Sequence, residues 1–124
     1  MLIRCRVAAC PAGRGTWEFF LLNDSDAPLD GAVLKRVAFE WGNMSDAEEV
    51  DVRIAALAPG AYALIWRDTD NCAEGRVELL LQVSAGQQER NLTFEFPKLY
   101  KLRELPLVPG LGKAGWQESA ELSV

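Results

Sequence analysis

Val77-Glu78-Leu79-Leu80-Leu81-Gln82-Val83, then Ala85-Gly86-Gln87, then Leu92-Thr93-Phe94-Glu95-Phe96: these three runs follow one another in the second half of the chain. Val77, Leu79, Leu81 and Val83 share one phase of a two-residue period, and Glu78, Leu80 and Gln82 share the other. Leu92, Phe94 and Phe96 alternate in the same way with Asn91, Thr93 and Glu95. Successive side chains of a strand point to opposite faces, so each run predicts a half-buried strand. The turn residues between them predict an antiparallel pair.

The same texture extends through the rest of the chain. Tyr62, Leu64 and Trp66 alternate ahead of a polar loop from Asp68 to Gly75, and Val50, Val52 and Ile54 alternate with Asp51 and Arg53. Ala58-Pro59-Gly60 lies between those two runs and predicts a hairpin. Val37, Phe39 and Trp41 face one way from a run over residues 32–41, opposite Arg36 and Glu40, and a polar loop from Gly42 to Glu49 is expected after it. Ala47 to Arg53 is also compatible with an initial helical turn. Trp17, Phe19 and Leu21 oppose Glu18, Phe20 and Leu22; apolar on both faces, this run reads as a central strand. Ile3, Cys5 and Val7 alternate with Arg4 and Arg6 in the first strand, and Leu99 to Leu102 is expected to add a short edge strand. Runs spaced about ten residues apart, with no sustained helical period, specify an all-β fold: a single antiparallel β-sandwich of seven to eight strands, prealbumin-like or immunoglobulin-like.

That sandwich is expected over residues 1–103. From Glu104 onward, Pro106, Pro109, Gly110, Gly112 and Gly115 interrupt Leu107, Val108, Leu111 and Trp116, which predicts an extended C-terminal tail over 104–124. The tail is expected either to strap a sheet edge or core mouth or to dock on a partner or a second copy by strand addition. Trp116 needs a place to bury its ring in either case.

The turn residues also carry a resemblance. Pro28-Leu29-Asp30-Gly31-Ala32-Val33, Leu57-Ala58-Pro59-Gly60-Ala61-Tyr62-Ala63-Leu64 and Val83-Ser84-Ala85-Gly86 before Leu92-Thr93-Phe94 stand in one order. In that order they resemble the carboxypeptidase regulatory-like group of prealbumin-like sandwich domains, over roughly residues 16–96. The resemblance implies a strand after the first feature, an L-x-P-G-x-Y turn at the second and the turn before the last strand at the third. Where that group has a T-D-x-x-G step, this chain has Asp46-Ala47-Glu48-Glu49-Val50. A prealbumin-like relative that hydrolyses a purine-derived substrate depends on histidines, and here there are none.

Composition narrows the function. The chain has 124 residues, 13 Lys plus Arg against 18 Asp plus Glu, and a net charge of −5, which repels a phosphate backbone and argues against nucleic acid. Met1-Leu2-Ile3-Arg4-Cys5-Arg6 interrupts its apolar residues with arginine, so neither a secretory signal nor a membrane span is read there, and the expected location is the cytoplasm. Cys5, Cys10 and Cys72 form no C-x-x-C pair and have no histidine to complete a zinc set, so no metal or other cofactor is expected. Strand parity brings Cys10 and Cys72 to one end of the sandwich, where a reducing compartment keeps them as thiols.

The same parity gathers Asp46, Glu48, Glu49, Asp68, Asp70 and Glu74 into an acidic pole of loops, with Trp41 and Trp66 near its strand ends. Calcium would use such carboxylates, but the EF-hand spacing is absent, and a solvated rim is the expectation. A serine or cysteine nucleophile lacks an imidazole base, and no phosphate-cradling glycine loop occurs. The expectation is therefore no enzyme but an interaction or accessory module, binding a protein partner or itself through the acidic pole, the tail with Trp116, or both. One alternative is a carbohydrate-binding module using Trp41 or Trp66 with neighbouring carboxylates. Another is a metal- or carboxylate-dependent hydrolase, which needs at least two of Asp46, Glu49, Asp68 and Asp70 in one pocket.

Overall fold

The computed structural model describes residues 2–68, 75–102 and 104–123. Eight strands follow in order: β1 (Leu2–Pro11), β2 (Trp17–Asn23), β3 (Gly31–Trp41), β4 (Met44–Ile54), β5 (Tyr62–Asp68), β6 (Arg76–Ala85), β7 (Gln88–Phe96) and β8 (Trp116–Ser123). They build two four-stranded antiparallel sheets, ordered β5-β2-β1-β8 and β4-β3-β6-β7, packed as a β-sandwich. No helix among the described residues is long and apolar enough to cross a membrane.

Alternation accounts for the core. Ile3, Cys5, Val7, Phe19 and Leu21 from the first sheet meet Leu34, Val37, Leu79, Leu81, Phe94 and Phe96 from the second. Phe19 and Phe96 make an edge-to-face pair across the sheets with ring centroids 5.2 Å apart. Two bulges change the phase. Between Leu34 and Arg36 of β3, Lys35 is the extra residue against β6, so Leu34 and Val37 both face inward. Between Leu64 and Trp66 of β5, Ile65 is the extra residue opposite Phe19 and Phe20, which turns Ile65 and Trp66 towards the core. The β6–β7 hairpin closes at Gly86 and Gln87, whose φ angles of 57° and 66° suit a two-residue turn matched to strand twist.

Four expectations change. The run 50–54 and the run 62–66 do not form a hairpin: β4 and β5 lie in different sheets, and the turn at Ala58-Pro59-Gly60 is a crossover. Asn23, fully buried, holds this crossover. Its Nδ2 donates to the carbonyls of Ala27 (3.0 Å) and Leu57 (2.9 Å), its Oδ1 accepts from the Ser25 N–H (2.9 Å), and its backbone bonds Ala61 and Gly60. The polar stretch Gly42 to Glu49 is no loop, and the helical turn over Ala47 to Arg53 does not form, because β4 pairs with β3 from Met44 onward. A continuous backbone ladder outweighs the weak strand preference of acidic residues there. Leu99–Lys101 forms a 3-10 turn instead of an edge strand, with Leu99 buried as its anchor.

The segment after Glu104 has two parts. Residues 106–115 fold back on themselves, with Leu107 bridged to Ala114, and press Val108 and Leu111 onto Ala8, Cys10, Phe20 and Leu22 on the outer face of the first sheet. Residues 116–123 then pair as β8 along β1. Arg6 fastens the junction: its guanidinium grips Asp24 through Nε (2.6 Å) and Nη2 (2.9 Å) and donates from Nη1 to Gln117 (2.8 Å). Such a two-pronged carboxylate contact is geometrically demanding, and here it ties three chain segments together.

Candidate functional site

The 106–115 segment covers the outer face of the first sheet, whereas nothing in the chain covers that of the second among the described residues. A concavity of about 870 Å³ crosses this second face. Ala47 on β4, Ala38 on β3, Glu78 on β6 and Glu95 on β7 stand side by side in register, forming one row across the strands. The small Ala38 and Ala47 make the floor, and Arg36, Glu40 and Arg76 rise from the flanking positions. Beyond the β7 edge the concavity ends against Trp116 and Glu118 of β8, where the indole Nε1 donates to the Glu118 carboxylate at 2.9 Å.

This placement distributes the anticipated residues unevenly. Asp46, exposed on β4, and Trp116, half-buried on β8, both line the concavity. Glu48 is exposed beside Asp46 in sequence but pairs opposite Val37, and Glu49 lies 3.9 Å from Arg36. Asp68 is not part of a solvated rim: it is buried at the end of β5, opposite Trp17. Trp66 packs half-buried against the core. Trp41 stacks obliquely on Phe39 at 4.9 Å and lines a separate depression of about 310 Å³ with Gly42, Lys98 and Tyr100. Asp70, Cys72 and Glu74 lie outside the described residues.

Of the carboxylates a hydrolase would need, Asp46 reaches the concavity while Glu49 and Asp68 do not. No group of three or more His, Cys, Asp or Glu among the described residues is arranged to hold a metal ion. Arg36, Glu40, Arg76, Glu78, Glu95 and Glu118 were not among the anticipated residues. For all but Glu118, which takes the inward phase of β8, the signal is the outward phase of the strands, but only strand order shows which of those outward positions adjoin.

The two described thiols, Cys5 and Cys10, are buried. Cys5 sits in the core, where burial first and the Asp24 charge second push its pKa from the ordinary 9.0 to about 12. Burial under Val108 and Leu111 also raises that of Cys10. A thiolate is the reactive form, so both should resist a disulfide reagent in the native protein. In a Cys72→Ser chain the expected titration at pH 8 is no thiol before unfolding and two after it; fast native labelling would contradict this packing. The unfolded chain loses its Cys5 proton first. The stabilisation is therefore whole below about pH 9 and is lost as pH rises towards 12.

No family model matches the chain, and neither a curated protein nor a solved structure matches it.

Proposed function

We propose that the chain is a non-enzymatic interaction module that docks a protein partner on the uncovered face of its second sheet and the adjoining β4 edge. One observation carries this reading. Among the described residues, 106–115 cover one sheet and none covers the other, with the concavity crossing it and residues 44–49 exposed along an edge that no described strand pairs. An edge strand offers free N–H and C=O groups to an incoming chain, and a concave face offers area. Asp46 belongs to this surface as lining of the concavity, Trp116 as its far wall, and Glu48 and Glu49 only as exposed residues of the β4 edge strand. The prealbumin-like resemblance adds an architecture to this proposal and no activity.

A photo-cross-linking amino acid at Ala47 tests it against one at Tyr62, exposed on the outer face of the other sheet. Protein adducts from source cells that map to Ala47 and not to Tyr62 are the expected outcome; adducts at neither position would refute docking. The carbohydrate reading is favoured by a different feature, the Trp41, Tyr100 and Lys98 depression. Retention on a polysaccharide gel that disappears in Trp41→Ala would support that reading instead.

A further inference from the structure

Glu78 and Glu95 face each other directly across β6 and β7, in the middle of the concavity. Like charges in directly opposed positions destabilise a sheet, and a third charge of opposite sign removes the penalty. Among the described residues no cation supplies it: neither glutamate has an ion-pair or hydrogen-bond partner, although Arg36 and Arg76 stand in neighbouring rows. The lining of the concavity holds Glu40, Asp46, Glu78, Glu95 and Glu118 against those two arginines. Beside the glutamates, the methyl groups of Ala38 and Ala47 provide an apolar strip in the same row.

We infer that the occupant of this groove is a lysine-bearing extended segment of the protein partner, the ammonium between Glu78 and Glu95, the aliphatic stem coming in from the side of Ala38, and the segment's backbone over Ala38 and Ala47. The inference rests on the docking reading above and assigns the chemistry of what docks. A lysine stem buries methylenes along apolar surface while its head stays with the carboxylates. The row from Ala47 to Glu95 spans three strand spacings of about 4.8 Å, hence about 14 Å, the length of about four extended residues. Arg36 and Arg76 flank that path and can donate to the carbonyls of a peptide backbone. A segment of this kind matches the groove in charge as well as length, which an anionic or purely apolar ligand does not.

The probe is a fluorescein-labelled peptide of alternating alanine and lysine, titrated by anisotropy against the whole chain at about 50 mM and about 500 mM salt. Saturable binding that weakens with salt is expected, together with at least about a tenfold loss in the double variant Glu78→Gln/Glu95→Gln. The control Asp26→Asn/Asp30→Asn removes the same charge from exposed positions in the β2–β3 loop and should bind as the parent does. The glutamine pair should unfold at or above the parent's midpoint, since the repulsion is gone, so lost binding would not be lost folding. No saturable binding, or an equal loss in the control pair, overturns the inference. If the Ala47 cross-linker still captures a protein, docking stands and only the lysine-bearing occupant falls; if neither succeeds, docking falls as well.

Discussion

Ending the chain before Glu104 is expected to abolish cooperative folding, not merely to free a docking arm. The deletion removes Val108 and Leu111, buried on the outer face of the first sheet, and the half-buried Trp116, Ala120 and Leu122 of β8. Full burial of one such aliphatic side chain contributes about 1.5–3 kcal/mol. With the partly buried residues and the β1–β8 ladder, the loss reaches about 5 kcal/mol or more, against a total stability of about 5–15 kcal/mol for an ordinary domain. Removing β8 also bares the hydrogen-bonding edge of β1, a template for aggregation. The truncated chain should show no sigmoidal urea transition and should elute as aggregate. Val108→Ala provides a graded version, with a loss of about 1–2 kcal/mol in unfolding free energy, read as a lower urea midpoint. A monomeric, cooperatively unfolding truncation would mean that the strand and its covering segment are not integral to the sandwich.

Asn23→Ala should cost about 2 kcal/mol or more. Removing the carboxamide leaves the Ser25 N–H buried without its acceptor, and an orphaned group of this kind costs about 1–3 kcal/mol; the Leu57 carbonyl loses one of two donors and keeps the Leu29 N–H. The Ala27 carbonyl loses its donor as well. These groups hold the β2–β3 loop against the crossover at Leu57 to Gly60, so the variant should loosen two loops at once. Asp26→Ala, exposed in the same loop, should change the urea midpoint little. Similar midpoints for the two variants would show that the Asn23 network does not hold this end of the sandwich together. Amide exchange at Gly60 and Ala61, whose N–H groups bond Asn23 and Ala58, should accelerate selectively in Asn23→Ala.

The strands that were easiest to read are those half-buried along their whole length. In β6 every second residue is buried, so the apolar period is unbroken and both its position and its inward face follow from the residues alone. Residues 44–49 of β4 are the opposite case. All are exposed, so nothing selects one phase over the other, and a strand looks like an acidic loop. β8 hides for a related reason: Glu118 occupies the inward phase between Trp116 and Ala120, opposite Val7, because it reaches the Trp116 indole at the sandwich edge. Asp68 reads as a loop carboxylate of a solvated rim from its neighbours in sequence, but it ends β5 opposite Trp17 and is buried, and that pairing is a long-range event.

Period-two burial, the absence of histidine and the acidic balance are properties of local order and composition, and they suffice for an all-β sandwich with an unconventional set of polar residues. Which strands become neighbours is a different kind of quantity. It depends on contacts between residues far apart in the chain, such as Asn23 with Leu57 and Arg6 with Gln117, whose energy exists only once the sheets have packed. Ala47, Ala38, Glu78 and Glu95 come from four separate strands, and their meeting in one row is set by register across three ladders. No period along the chain encodes that row. The groove and its unmatched charges arise from packing.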